Sequence, residues 1–322
     1  MQRALTGIQP SGQIHLGNFL GSIQPALQLQ SSYRAYYFIA DYHALTSIRD
    51  AAALRQSSRQ VAATFIALGL DVEQHCLFRQ SDIPEVCELA WILACQIGTG
   101  MLDRGHAVKA AREGGRDPSA GTLFYPVLMS ADILLYDANV VPVGKDQQQH
   151  VEIARDIAQR VNHHYGEGTL VVPEVSIQEG VGVVPGLDGR KMSKSYGNTI
   201  PLWERPKKLR KTMMKIVTDS LGMDDPKDPD SDNVFNLYKL FATAEQREDL
   251  AARYRAGGLG YGHAKQELFE LVNAQVEGPR AIFDELMAKP EKIDAILEEG
   301  GRKAREKAAA TMARVRAAVG LR

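Results

Sequence analysis

Residues 7–21 read GIQPSGQIHLGNFLG. A short apolar run at Ala4 and Leu5 meets Gly, Pro, Ser and Gly, after which Ile14, Leu16, Phe19 and Leu20 recur at helical spacing. The pattern predicts a strand, a tight turn and a helix. The first N–H groups of a helix lack partners within it and carry the positive end of its dipole, so a phosphate is well held there. His15, Gly17 and Asn18 stand where such an anion would lie. Gly17 permits close approach, and His15 and Asn18 can donate hydrogen bonds. A Gly/Pro turn after a first strand, with a structural histidine beside it, would produce the same local pattern.

Outward from this stretch, strand and helix alternate. Tyr36–Ala40 is apolar and ends in Asp41, Tyr42 and His43. Leu54, Val61, Phe65 and Leu68 keep helical spacing, Cys76–Phe78 is a short strand, and Glu85–Ile97 continues a helix begun at Pro84. Residues 112–121, REGGRDPSAG, have the composition of a surface loop. A helix follows over Leu123–Tyr136, then a strand over Val140–Val143, and Asp146 opens a further helix. Such alternation implies parallel pairing through right-handed crossovers: an α/β fold with a Rossmann-type, doubly wound parallel sheet. Ligands of these sheets lie beyond the carboxyl ends of the strands. The polar clusters 9–18, 41–43 and 144–150 fall there.

From Trp203 the composition changes. Leu209, Met213, Ile216 and Val217 form an apolar stripe, with Lys207, Lys208, Arg210, Lys211 and Lys215 between them, a basic amphipathic helix. An acidic, turn-rich connector covers residues 224–233, and helical patterns then run to the end, closing on the basic series Arg302, Lys303, Arg305, Lys307, Arg314 and Arg316. We therefore expect a Rossmann-type first domain over 1–190, a linker over 191–202 and a mainly α-helical second domain over 203–322, with the last helices able to pack back on the first domain.

The chain has 322 residues, enough for two cores. Lys plus Arg number 38 against 39 for Asp plus Glu, so a nucleic acid would be met by a local patch and not by a global field. Cys76, Cys87 and Cys95 are odd in number and lack CxxC spacing, which favours neither a disulfide framework nor a zinc site and suits a reducing cytoplasm. No signal-like or membrane-length apolar run is present.

A second constellation occupies residues 186–197, GLDGRKMSKSYG. Lys191 and Lys194 flank Ser193 in a loop bracketed by glycines. Ammonium groups on flexible stems can follow polyphosphate charge, although two lysines can equally form a solvated basic loop.

Taken together, KMSKS at 191–195 and PSGQIHLGN at 10–18 resemble the paired signatures of class I aminoacyl-tRNA synthetases. His15, Leu16, Gly17 and Asn18 occupy the four places of the HIGH element, with Asn18 a departure that is usual in the tryptophanyl branch. DYHALT (41–46), YPVLMSADILLY (125–136) and VPVGKDQQQHVEIARDIAQRVN (141–162) resemble that branch in its bacterial form, in order and spacing. Weaker matches are VTDS (217–220) and GYG (260–262).

The resemblance implies ATP-dependent activation of L-tryptophan to its adenylate, and transfer to tRNA(Trp), by a cytoplasmic homodimer using ATP with Mg2+ carried on the nucleotide. His15, Asn18, Lys191 and Lys194 would be catalytic. ATP would further meet Gln9, Pro10, Ser11, Gly17, Gly144, Lys145, Asp146, Val183, Met192, Ser193 and Ser195. Tryptophan would meet Gly7, His43, Tyr125, Met129, Asp132, Val141, Val143 and Gln147, with Asp132 accepting the indole N–H and Tyr125 and Gln147 holding the ammonium. The helical domain would read the anticodon. Leu5 stands where the branch often has Phe, and residues 101–115 depart from its usual two lysines, with only Lys109 plainly placed.

By its own chemistry, Asp132 in an apolar helix is either an outward-facing residue or a buried acceptor that needs a donor. An indole N–H is a donor only. The rival readings are a tyrosyl-tRNA synthetase, a small-molecule nucleotidyltransferase sharing the first signature, and a noncatalytic RNA-binding paralogue.

Overall fold

The computed structural model describes residues 2–103, 105–115, 117–143, 148–177 and 182–321. In chain order the first elements are β1 (Arg3–Ile8), α1 (Leu16–Asn18), α2 (Gln24–Gln28), β2 (Arg34–Ile39), α3 (Asp41–Ala44), α4 (Ala51–Ala67), β3 (Cys76–Arg79) and α5 (Glu85–Ala94). They are followed by α6 (Thr99–Leu102), α7 (His106–Glu113), α8 (Ala120–Leu135), β4 (Val140–Val143), α9 (Gln148–Tyr165) and β5 (Glu174–Ile177). The chain ends with α10 (Pro206–Met213), α11 (Asn233–Tyr238), α12 (Ala244–Ala256), α13 (Tyr261–Ala288) and α14 (Pro290–Val319).

Among the described residues the sheet has five strands in the order β3-β2-β1-β4-β5, all parallel. The α/β, Rossmann-type expectation is met. Strands buried on both faces read as continuous apolar runs, as in Ala35–Ile39, and do not alternate. The order reverses between β1 and β4, and it is beside such a switch point that an open parallel sheet presents its binding crevice.

The chain falls into two compact units. One comprises residues 1–12, 26–179 and 286–322; the other comprises residues 13–25 and 180–285. The stretch that opens α1 thus belongs with the loop around residue 191, although it follows β1 in sequence.

In the first unit, α14 packs against β3, the sheet edge, and against α5. The approach is close: a Cβ on Gly300 would lie 1.9 Å from the Leu77 carbonyl oxygen. Only glycine fits there. The basic residues of α14 are paired: Arg305 with Glu85 at 2.8 Å, Arg314 with Asp137 at 2.6 Å, Arg316 with Glu88 at 2.5 Å, and Lys307 also with Asp137. These four residues of the terminal basic series therefore brace α14 on other elements of its unit, whereas the exposed Arg302 pairs with Glu299 and Glu306 of α14 itself.

Three further local expectations change. β5 was not foreseen in the sequence. The loop read over 112–121 is shorter, because α7 runs to Glu113 and α8 begins at Ala120 behind a Ser119 cap. The apolar stripe of α10 ends early: Ile216 is buried beyond the helix, whereas Val217 is exposed. The lysines and arginines of that stripe's other face are exposed as expected.

Candidate functional site

A buried polar cluster of the sheet unit is built where β2 and β3 end and on α8. Asp132 is 2 % exposed, which decides between its two readings: it is a buried acceptor. A desolvated carboxylate must find donors. Gln80 Nε2 donates to Oδ1 and to Oδ2, each at 2.9 Å, and His43 Nε2 lies 3.0 Å from Oδ2. Burial raises the Asp132 pKa, and the His43 and Gln80 bonds oppose the rise. Those bonds leave lone pairs on the carboxylate for a further donor.

His43 follows β2 because α3 begins at Asp41, directly where the strand ends. Its ring packs against that of Tyr125 at 4.1 Å, and Tyr125 also faces His150 at 5.9 Å. Tyr125 comes from α8 and His150 from α9. Met129 is half-buried against the core and Val141 is buried. Val143 closes β4, paired with Ile177. At Gly7 a Cβ would meet the Phe38 ring at 2.3 Å, so the close approach this glycine permits is that of a neighbouring strand's aromatic side chain. Gln80 was missed by the sequence reading; a glutamine after a short strand carries no motif.

Gln9 is half-buried, with Nε2 3.5 Å from Ser47 Oγ; Pro10 is buried and Ser11 exposed. Gly144, Lys145, Asp146 and Gln147 lie outside the described residues.

The second unit contains residues 13–18 of the first signature and the whole of the second. His15 caps α1: its Nδ1 accepts from Asn18 N–H at 3.3 Å, while Asn18 Oδ1 accepts from His15 N–H at 3.2 Å. A nitrogen that accepts carries no proton, so the imidazole is the Nε2–H tautomer, with that N–H as its donor. Desolvation first, then the Lys194 charge, lower the His15 pKa to about 4, which keeps the ring neutral at physiological pH.

The N–H groups expected to await an anion already have partners. Leu16 N–H donates to Ile200 O at 2.9 Å and Gly17 N–H to Met192 Sδ at 3.2 Å. After Asn18 the helix widens into a π turn over Phe19–Ile23. The bare helix-terminus reading is thereby corrected: donors for an anion at this corner must come from side chains such as His15 Nε2–H. Gly17 has its own local reason, since a Cβ there would crowd His15 Nδ1 at 3.0 Å and Met192 Cβ at 3.3 Å.

The KMSKS loop hangs on Asn198, a buried residue the sequence did not single out. Its Oδ1 accepts from Ser193 N–H at 2.8 Å, and its Nδ2 donates to Asp188 Oδ1 at 2.7 Å and to Lys191 O at 3.1 Å. Met192 is buried and its N–H bonds Val184 O, so the loop is anchored at its second residue. Lys191, Lys194 and Ser195 remain exposed and Ser193 is half-buried, its Oγ accepting from Ser195 N–H. Partial desolvation by neighbouring atoms lowers the Lys194 pKa although the side chain as a whole is exposed. Val183 is exposed.

The family model "tRNA synthetases class I (W and Y)" matches residues 1–277. The tryptophan–tRNA ligase of Pseudomonas aeruginosa is 49% identical over 336 residues, covering 99% of this chain and 74% of that protein. The tryptophan–tRNA ligase of Rhodopirellula baltica is 48% identical over 320 residues, covering 99% and 100%. The crystal structure of the Campylobacter jejuni tryptophanyl-tRNA synthetase complexed with ADP and tryptophan matches with a TM-score of 0.93 at 46% identity, covering 99% of this chain and all of that one.

Proposed function

The chain belongs to the tRNA synthetases class I (W and Y), and from that premise we propose which of its residues carry the reaction of a tryptophan–tRNA ligase. The enzyme activates tryptophan with ATP and esterifies tRNA with it. In our reading the tryptophan carboxylate attacks the α-phosphorus, pyrophosphate leaves, and the acyl group then passes to the terminal ribose of tRNA(Trp).

Asp132 accepts the indole N–H, with Met129, Val141 and Val143 beside the ring and His43 and Tyr125 around the amino acid. Gln147 joins Tyr125 at the ammonium. The observation that carries this reading is a carboxylate buried to 2 % exposure and held only by donors, which suits a substrate group that donates. Size alone separates side chains by roughly 10- to 200-fold, whereas a buried acceptor left unpaired by the wrong substrate rejects it far more strongly.

For ATP, His15 supplies its Nε2–H as a neutral donor that remains one at physiological pH. Lys191 and Lys194 supply charge where it builds on the phosphates during the displacement. Gln9, Pro10, Ser11, Gly17, Asn18, Val183, Met192, Ser193 and Ser195 complete the nucleotide contacts, with Gly144, Lys145 and Asp146 on the ribose side. Mg2+ enters with ATP as part of the substrate. The exposed basic face of α10 suits tRNA phosphates, by which such surfaces gain affinity without reading sequence. We place the active form as a cytoplasmic homodimer on the family's pattern, with domains over 1–190 and 203–322 joined through 191–202 and the last helices packing back on the first domain.

ATP–pyrophosphate exchange with each amino acid in turn tests the reading. Exchange that depends on tryptophan supports it, and exchange with tyrosine alone overturns it.

A further inference from the structure

Gln80 follows β3 and is 1 % exposed. Its Oε1 accepts from the backbone N–H of Tyr42 at 3.1 Å and of His43 at 3.4 Å, the first turn of α3. Backbone N–H groups can only donate, so the amide has one orientation, with Nε2 turned to the carboxylate of Asp132. One side chain thus joins the helix that carries His43 to the acid that His43 also meets.

Gln80 is itself held from both sides. Ser81 N–H donates to Asp41 Oδ1 at 3.0 Å and Ser81 Oγ to Asp41 Oδ2. Asp82 accepts from Arg79, whose guanidinium lies 3.6 Å from Asp294 of α14, and a Cβ on Gly301 of α14 would lie 3.0 Å from Asp82 Cβ.

We propose that Gln80 is the positioning residue of the amino acid pocket, holding Asp132 as an acceptor-only carboxylate and so setting the preference for a side chain that donates a hydrogen bond. The proposal rests on the reading of Asp132 as the indole acceptor. Around that carboxylate stand Asp41 and His43 from α3, Cys87 from α5, Tyr125 from α8 itself and Tyr136 directly after it. Of these, His43 favours the ionised form and Asp41 opposes it. Without the Gln80 donors the acid takes up a proton at higher pH, and a protonated Asp132 presents an O–H where the indole needs an acceptor.

The experiment compares the full-length enzyme with Gln80→Met and Gln80→Glu. The first is close in volume and lacks both polar groups; the second can donate to Asp132 only while protonated. ATP–pyrophosphate exchange is measured from pH 5.5 to 9 with tryptophan and with the benzothienyl analogue of tryptophan, which replaces N–H by sulfur. For Gln80→Met, the kcat/KM ratio of tryptophan over the analogue falls by about tenfold or more, mainly through KM, and the acidic limb of the tryptophan profile moves up by about one pH unit. For Gln80→Glu the dependence runs the other way: discrimination is near wild type at the acid end and is lost as the pair of carboxylates loses its shared proton. A merely structural role would not produce opposite pH dependences.

Folded variants that both keep the wild-type ratio and profile overturn the proposal. Asp132→Ala, which removes the acceptor outright, separates this from the reading beneath it. If folded Asp132→Ala keeps the wild-type ratio, the indole contact is wrong. If Asp132→Ala loses the ratio while both Gln80 variants keep it, only the role of Gln80 is wrong.

Discussion

The two units put their charged groups in opposite surroundings. In the sheet unit, Asp132 is buried and has donors on both oxygens, and its partner Gln80 is tied down at its other end. In the second unit, Lys191 and Lys194 are exposed on a loop anchored through Met192 and Asn198. Selection needs the first arrangement, because a desolvated acceptor discriminates between substrates only if it cannot turn to water or relax. Charge stabilisation of a leaving polyphosphate suits the second, in which ammonium groups on long stems adapt to the phosphates that arrive.

The comparison breaks most visibly if the two kinds of variant behave alike. Asp132→Ala should lower kcat/KM for tryptophan by about 1000-fold or more and remove most of the preference over phenylalanine, since the buried donors Gln80 and His43 lose their acceptor as well. Lys194→Ala should lower kcat for adenylate formation by about 100- to 1000-fold while the Kd for tryptophan, from equilibrium titration, changes less than threefold. An unchanged turnover in pyrophosphate exchange would remove Lys194 from the catalytic set.

Smaller effects sharpen the contrast. Gly300→Ala forces a methyl group into the Leu77 carbonyl of β3 and should cost about 3 kcal/mol in urea unfolding, with the sheet unit affected first. His15 supplies a pH dependence with a definite sign. Its folded pKa of about 4 lies below the unfolded value of about 6.5, so the unfolded chain binds the extra proton between those values. The stabilisation is complete above pH 6.5 and is lost as pH falls towards 4. Urea midpoints measured through that window should fall for the wild type, and the His15→Asn variant should show a flatter profile.

How much of this was legible in the sequence follows from what kind of signal each part leaves. Apolar runs in Ala35–Ile39 and Cys76–Phe78 announce buried parallel strands because both faces are covered. The helical period over 54–68 likewise marks α4. β5 has Glu174 and Ser176 alternating with two apolar residues, too short and too polar to stand out. The signatures at 10–18 and 191–195 were readable because their residue types and order are unusual in combination. Gln80 and Asn198 were not: Gln80 works through partners far away in sequence, at Asp132 and Tyr42, and Asn198 through a loop turn whose closure no residue pattern announces. The basic series in α14 was legible as charge but not as structure, because its acidic partners Glu85, Glu88 and Asp137 lie in other elements.

The most direct measurement of the central claim is amino-acid-dependent pyrophosphate exchange by the wild type and Asp132→Ala side by side, with tryptophan, its benzothienyl analogue and tyrosine. The account predicts strong exchange with tryptophan alone in the wild type, and loss of the margin between tryptophan and the analogue in the variant. An Asp132→Ala enzyme that retains the full margin would contradict it.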